Sequence, residues 1–205
     1  EHGKIIRPDD FAVLELSSFQ LHGMHCAPDV AIITNISPNH LDVHPDLEDY
    51  VSAKCSIYRG QRPDGVLVLN ARDAHTPRFA AEAPGSVRYF SSVGPVENGV
   101  YCSDGVIYRA HGGKAEKLID VSDIRIPGAH NVENYMAAFA ATDGLVAQAA
   151  CVQVARSFAG VPHRMERIRE LNGITFINDS IASSPTRTIA GLHALPKPPV
   201  IILGG

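Results

Sequence analysis

Short apolar runs recur along the chain and predict the strands of a sheet. They are too short for typical helices, are rich in β-branched residues, and are bounded by turn-forming residues. The runs lie at residues 10–16, 30–34, 65–70, 87–91, 174–179 and 200–203. Helical segments separate several of these runs, and this alternation is typical of a parallel sheet. The pattern therefore predicts an α/β fold, with a mostly parallel sheet flanked by helices.

Helical spacing of apolar residues predicts the flanking layers. Tyr50, Ala53, Ile57 and Tyr58 form one stripe at a spacing of three to four residues. We expect helices at residues 47–60, 72–82, 134–150 and 186–195, with Pro77 interrupting the second of them.

The pattern changes in two places, and each change adds a unit to the fold. Residues 100–118 read as a small antiparallel meander beside the α/β layer, because Asp104-Gly105 is a typical hairpin turn. After Gly160, a strand, a helix and a strand predict a fresh βαβ unit. We therefore expect a domain boundary near Gly160, which separates residues 1–159 from residues 160–205.

Composition excludes some classes of protein. The net charge is −4 and no basic stripe is present, so nucleic-acid binding has no electrostatic support. No apolar run approaches the roughly 20 residues of a membrane span. The four cysteines form no CxxC pair, which favours reduced thiols in a cytoplasmic protein. The final apolar run leads into Gly204-Gly205, so we expect these residues to be part of a longer chain. The oligomeric state is not predictable from these features.

Three polar residues near the first predicted strands are candidates for chemistry. Glu15 ends the run 10–16, His40 lies in the polar turn after the run 30–34, and Lys54 lies on the following helix. Glutamate and histidine can both serve a divalent cation. Each residue also has a plain structural interpretation: Glu15 as a cap of a neighbouring helix, His40 as a turn residue and Lys54 as a solvated lysine.

Two further clusters suit a nucleotide, although no glycine-rich phosphate loop of known pattern is present. Asn131 and Asn134 share one helix face, and amide side chains can pair with the edge of a purine. Asn131 is alternatively a helix N-cap. Arg164 can form a fork with phosphate and Asp179 can hold a ribose hydroxyl, or the two can form an ion pair at a domain boundary.

Seven segments, in this order, resemble the Mur ligase family, the ATP-dependent amino-acid ligases of peptidoglycan synthesis. The segments are 15–21 (ELSSFQL), 34–42 (TNISPNHLD), 53–54 (AK), 128–134 (GAHNVEN), 158–166 (FAGVPHRME), 178–182 (NDSIA) and 203–205 (LGG). The first of them is similar to the member that adds D-glutamate. The resemblance implies a central ATPase domain at 1–159 and the start of a Rossmann-like C-terminal domain at 160–205.

The resemblance also implies a reaction and roles for residues. ATP phosphorylates the terminal carboxylate of UDP-N-acetylmuramoyl-L-alanine, and the amine of D-glutamate attacks the acyl phosphate to give an amide. Lys54 matches the family's carbamylated lysine, which would hold Mg²⁺ together with Glu15 and His40. The remaining matches are Asn131 and Asn134 to adenine contacts, Arg164 and Asp179 to other ATP contacts, and Ser17 and Gln20 to positions near the UDP-substrate.

The chain departs from the family pattern in two respects. The family's phosphate loop, Gly-Lys-Thr or Gly-Lys-Ser, is not found before Glu15, so we expect these 205 residues alone not to turn over substrate. Ile181 stands where a lysine often follows Asn-Asp-Ser. The alternatives are a sister ligase with another amino acid, a folylpolyglutamate synthetase, or a nucleotide-binding module without catalysis.

Overall fold

A six-stranded sheet organises most of the residues that the structure, a computed structural model, describes. These residues are 7, 9–36, 44–183 and 185–204, with the side chain of residue 186 excepted. The strands are adjacent in chain order: β1 (Val30–Ile33), β2 (Val66–Asn70), β3 (Ser86–Ser91), β4 (Gly99–Ser103), β5 (Val106–His111) and β6 (Lys114–Asp120). Strands β1 to β4 are parallel, whereas β4, β5 and β6 form an antiparallel meander around the expected Asp104-Gly105 turn. The predicted α/β class is confirmed, but the meander extends the parallel sheet rather than lying beside it.

The described part of the chain contains six α-helices. They are α1 (Ser18–Leu21), α2 (Leu47–Arg59), α3 (Thr76–Glu82), α4 (Ala129–Thr142), α5 (Gln148–Ser157) and α6 (Pro185–His193). Pro77 does not interrupt α3, because it lies in the first turn, where its missing N–H costs no hydrogen bond. The single helix predicted at 134–150 is wrong: the chain turns after Thr142, and α5 begins at Gln148. None of the described helices is long and apolar enough to cross a membrane.

Helices cover both faces of the sheet. Along β2, Leu67 and Leu69 pack in one apolar core with residues of α2 and α3, whereas Val68 packs in a second core with residues of α4 and α5. Successive side chains of a strand point to opposite faces, so this central strand is buried on both sides. The sheet therefore holds α2, which carries Lys54, in a fixed position on one face.

Two predicted strands are wrong in the described structure. Residues 10–16 form no strand ladder, and Val13 is 93% exposed. Residues 200–203 likewise form no strand, and Val200 is 96% exposed. Their composition suits a strand, but a strand also needs a hydrogen-bonded neighbour, which neither segment has within the described residues.

The predicted βαβ unit after Gly160 is also wrong. Strand β8 (Ile174–Asn178) pairs antiparallel with β7 (Glu166–Leu171), which the apolar pattern missed because β7 is mostly charged. Asn172 and Gly173 join them, both with positive φ, at 53° and 76°. This Asn-Gly pair is a strong hairpin signal that identifies the connection in the sequence.

Candidate active site

Lys54 lies in the middle of α2 and is half-buried. Its Nζ lies 5.7 Å from the centre of the Tyr50 ring, one helical turn earlier. Burial lowers the pKa of Lys54 below the ordinary lysine value, and the negative charge of Glu15 partly opposes this shift. The solvated interpretation of Lys54 is therefore wrong, and its amine is disposed to be neutral more often than that of a surface lysine.

Glu15 lies in the extended segment before α1, and its side chain is exposed. It does not end a strand, as the sequence predicted, but its charge still acts on Lys54 across the space between the two segments. The structure thus places Glu15 within electrostatic range of Lys54, and these are two of the three residues of the predicted metal site. His40, the third, lies outside the described residues.

Glu15 bears a carboxylate and Lys54 bears an amine. The pair fits a cation site only if Lys54 supplies an anionic group. A carboxylate next to a half-buried amine of lowered pKa is a suitable setting for a lysine carbamate, because the neutral amine is the nucleophile toward carbon dioxide. Among the described residues, no group of three or more His, Cys, Asp or Glu side chains is arranged to hold a metal ion. Any ion at this place would therefore depend on Lys54.

Ser17 and Gln20 belong to a capping box at the start of α1. The Ser17 hydroxyl oxygen accepts a hydrogen bond from the Gln20 backbone N–H at 3.3 Å, and the Gln20 side-chain oxygen accepts one from the Ser17 backbone N–H at 2.9 Å. Both side chains are exposed. Their visible role is to fix the turn that follows Glu15.

The sequence interpretation missed a buried polar group beside this turn. His44 contacts both Ser18 on α1 and Asp49 on α2, and Asp49 also contacts His22 at 3.2 Å. The hydrogen bond from His44 is the main cause that lowers the pKa of Asp49. The available signal was position: His44 stands two residues before the N-cap Asp46, from where a side chain reaches the first turn of a helix.

A second missed residue, Asp73, lies after β2 and holds the beginning of the turn that follows β1. Its Oδ2 accepts a hydrogen bond from the Ile36 backbone N–H at 2.5 Å. Its charge also raises the pKa of Tyr50, although burial is the larger cause of that shift. Asp73 therefore places negative charge on the side of α2 that carries Tyr50.

Asn131 and Asn134 lie in the first turns of α4. Asn131 is half-buried and donates from Nδ2 to the Pro127 carbonyl, whereas Asn134 is exposed. The N-cap interpretation of Asn131 is wrong, because Gly128 occupies the N-cap with a φ of 107°. The Asn134 amide is thus on the surface at the beginning of the helix, where a planar ligand has access.

Arg164 and Asp179 lie close to this same end of α4. Both charges act on half-buried His130, whose pKa is lowered first by burial and then by Arg164, while Asp179 raises it. The Oδ1 atom of Asp179 accepts a hydrogen bond from the Met165 backbone N–H at 3.0 Å. The described ion pairs include none between Arg164 and Asp179, so the ion-pair interpretation is not supported. The second and third predicted clusters therefore form one polar region.

A hollow of about 560 Å³ in the described structure lies elsewhere. It is lined by α5 and by Leu118 of β6, and it contains none of the predicted site residues.

Comparison with known proteins identifies the family. Residues 7–142 match the Mur ligase middle domain. The UDP-N-acetylmuramoylalanine–D-glutamate ligase of Acetivibrio thermocellus is 50% identical over 200 residues, and that of Clostridium botulinum (strain Alaska E43) is 47% identical over 200 residues. Each match covers 98% of this chain but 43% of the relative, so the chain spans less than half the length of these relatives.

Solved structures show the same fold. A crystal structure of MurF from Acinetobacter baumannii superposes with a TM-score of 0.65 at 23% identity, over 87% of this chain and 40% of that one. MurF from Thermotoga maritima, in complex with ADP, superposes with a TM-score of 0.56 at 21% identity, over 83% and 40%. The α/β sheet, the ordered motifs and the match over residues 7–142 agree, and the chain therefore belongs to the Mur ligase family.

Proposed function

We propose that this chain forms the core of the catalytic site in an ATP-dependent ligase that joins D-glutamate to UDP-N-acetylmuramoyl-L-alanine. The observation that carries the proposal is Lys54, half-buried with a lowered pKa and placed within the electrostatic influence of Glu15. The D-glutamate ligases that are 47–50% identical over this segment support the choice of amino acid. The domain division near Gly160 and the cytoplasmic location belong to the same proposal.

Lys54 would act after carbamylation. The ammonium group first loses one proton, and the resulting neutral amine forms a bond to the carbon of carbon dioxide and releases a second proton. A cationic side chain thereby becomes an anionic one. The carbamate oxygens, Glu15 and His40 would then hold Mg²⁺. When bound, magnesium supplies positive charge against the phosphate oxygens during phosphoryl transfer. The chain's contribution is to hold these ligands on α2 and on the adjoining turns.

The polar region at the start of α4 would bind the nucleotide. Asn131 and Asn134 offer amide donors and acceptors to the edge of adenine. Arg164 offers its guanidinium fork to phosphate, and Asp179 offers its carboxylate to a ribose hydroxyl. Ser17 and Gln20, in the turn after Glu15, would lie near the UDP-substrate.

The test is phosphate release by the whole gene product that contains these 205 residues. The protein is mixed with ATP, Mg²⁺ and UDP-N-acetylmuramoyl-L-alanine, and D-glutamate, L-lysine, meso-diaminopimelate and D-alanyl-D-alanine are added one at a time. We expect release with D-glutamate alone. Release with another acceptor would move the chain to a sister ligase, and release with none would favour a module without catalysis. Mass spectrometry of the native protein should find Lys54 heavier by about 44 Da, which is the mass of the carbon dioxide added in the carbamate.

A further inference from the structure

His44 is a buried histidine outside the predicted site, and both of its ring nitrogens have partners. It is 4% exposed, with Nδ1 2.6 Å from Asp49 Oδ2 and Nε2 2.9 Å from Ser18 Oγ. Because a carboxylate only accepts hydrogen bonds, Nδ1 donates to Asp49. In the neutral ring, Nε2 then accepts a hydrogen bond from the Ser18 hydroxyl. His44 therefore links α1 to the first turn of α2 by two hydrogen bonds.

Aromatic packing orients the same ring. Phe19 of α1 stacks on His44 with ring centres 5.3 Å apart, and Tyr50 of α2 meets it edge-on at 5.4 Å. Ser18 is itself 3% exposed, so the hydrogen bond between Ser18 and His44 is shielded from water, whereas the Asp49 side chain is 31% exposed. A hydrogen bond in such a place is costly to leave unmade, and this favours a single arrangement of α1 on α2.

The position of Glu15 depends on this arrangement. Glu15 lies three residues before Ser18, in a segment that has no strand partner among the described residues, and Phe11, Val13 and Leu14 are all largely exposed. The next anchored residues after Glu15 are those of α1, where Leu21 is buried. Lys54 lies on α2, the helix that also carries Asp49 and Tyr50. The His44 link therefore connects the segment of Glu15 to the helix of Lys54.

We propose that His44 is a positioning residue for the ligase site, which acts through Ser18 to hold Glu15 beside Lys54. The inference rests on the proposed function, because it concerns the same pair of residues. His44 itself takes no part in the chemical steps of the reaction. Its effect would be on where the Glu15 carboxylate stands, and a displacement of about 1 Å can cost up to roughly 100-fold in rate.

Hydrogen exchange followed by mass spectrometry tests the link without using activity. In the whole gene product, we expect His44→Ala to speed amide exchange in the peptide 15–21 by about tenfold, and Ser18→Ala by a smaller factor, since only one bond is lost. Ser18→Ala keeps the backbone and the packing, so it remains informative if His44→Ala folds poorly. Tyr58→Phe is the matched control: it removes a hydrogen bond between buried Tyr58 on α2 and Glu82 on α3, and should leave this peptide unchanged.

Kinetics test the consequence for the reaction. We expect His44→Ala to lower kcat for D-glutamate-dependent phosphate release by about tenfold and to raise the Mg²⁺ concentration at half-maximal rate, with KM for ATP little changed. Adding Ser18→Ala to His44→Ala should cause no further loss, because the two residues act in one link. The amide oxygen of glutamine can accept a hydrogen bond from the Ser18 hydroxyl, so His44→Gln should have a higher kcat than His44→Ala.

The outcomes separate the two proposals. Unchanged exchange at 15–21, unchanged Mg²⁺ dependence, or the same losses in Tyr58→Phe would show that His44 only stabilises the fold. If the unsubstituted protein releases no phosphate with any acceptor, the proposed function fails. The exchange measurement then still decides whether His44 holds the Glu15 segment.

Discussion

At the scale of single residues, the environment of Lys54 matters more than its identity. A lysine on an exposed helix face is a solvated cation, but Lys54 lies over Tyr50 and is half-buried on α2. Burial disfavours the charged form, and the negative charge of Glu15 opposes that effect. Burial on α2 and the charge of Glu15 therefore set the pKa of the Lys54 amine jointly.

Glu15→Gln tests this coupling directly. Because the charge of Glu15 raises the pKa of Lys54, we expect its removal to lower that pKa further below the ordinary value of 10.5. NMR titration of the lysine side chains would measure the change. Asp9→Asn, which removes a carboxylate from the turn before this segment, is the control and should leave the titration of Lys54 as it was. A Lys54 pKa unaffected by Glu15→Gln would mean that the two residues are not neighbours in solution.

Lys54→Met tests the proposed role in the reaction. Methionine keeps the buried apolar stem but has no amine to carbamylate. We expect phosphate release with D-glutamate to fall at least about 100-fold, as when a metal site loses an essential partner. Lys114→Met, on exposed β6, should retain activity. Comparable activity in both variants would exclude Lys54 from the reaction.

At the scale of elements, the beginning of α4 is the place where distant parts of the chain meet. Gly128 caps the helix with a φ of 107°, a conformation that favours glycine. A Cβ atom built there would lie 2.8 Å from the ring of His130 and 3.0 Å from Ala194 after α6. The close packing needed to bring 128–134 beside the residues after Gly160 therefore requires glycine at this cap.

Gly128→Ala should accordingly lower the free energy of unfolding by more than the loss that backbone strain alone would cause. We expect a loss of roughly 2–4 kcal/mol, which combines a strained φ with a crowded Cβ. Gly94→Ala is the matched control, because Gly94 has a φ of 137° but open space around it, and should cost about 1–2 kcal/mol. Thermal unfolding of both variants measures the difference, and equal losses would show that packing at Gly128 is unimportant.

At the scale of the whole molecule, the most exposed large apolar side chains of the described residues lie in two separate segments. Val13 in residues 10–16 and Val200 and Ile202 in residues 200–203 are each at least 93% exposed. Both segments have the composition of buried strands, and exposed apolar segments of this kind favour association with other chains. The 205 residues thus present exposed apolar side chains at both of these segments.

We expect the isolated chain to bind a hydrophobic dye and to self-associate. Val13→Lys combined with Ile202→Lys should reduce both dye fluorescence and the apparent mass in light scattering, because charge on an extended segment opposes pairing. Lys117→Glu on the exposed meander would serve as a charge control with little effect on dye binding. Dye binding unaltered by the double substitution would place the apolar surface elsewhere on the molecule.

Local sequence signals predicted those parts of the fold that depend on neighbours along the chain. The stripe of Tyr50, Ala53, Ile57 and Tyr58 predicted α2, and the Asp104-Gly105 turn predicted the β4–β5 hairpin, because helix faces and tight turns depend on short-range geometry. The Asn172-Gly173 turn also marked a hairpin, but the charged residues of β7 obscured its first strand. The order of the motifs along the chain predicted the family, because motif order is a property of the sequence alone.

Only the tertiary structure decided which segments have partners and which polar residues lie together. Residues 10–16 and 200–203 read as strands, yet a ladder needs a second strand at the right place, and composition does not supply one. The contact of His44 with Asp49 has a local signal, since His44 stands two residues before the N-cap Asp46, but its contact with Ser18 spans 26 residues and has no local signal. The sequence by itself determined the α/β class, the family and the types of residue available for chemistry. The burial of Lys54 and its proximity to Glu15 arise only when the sheet fixes α2, because long-range packing sets both.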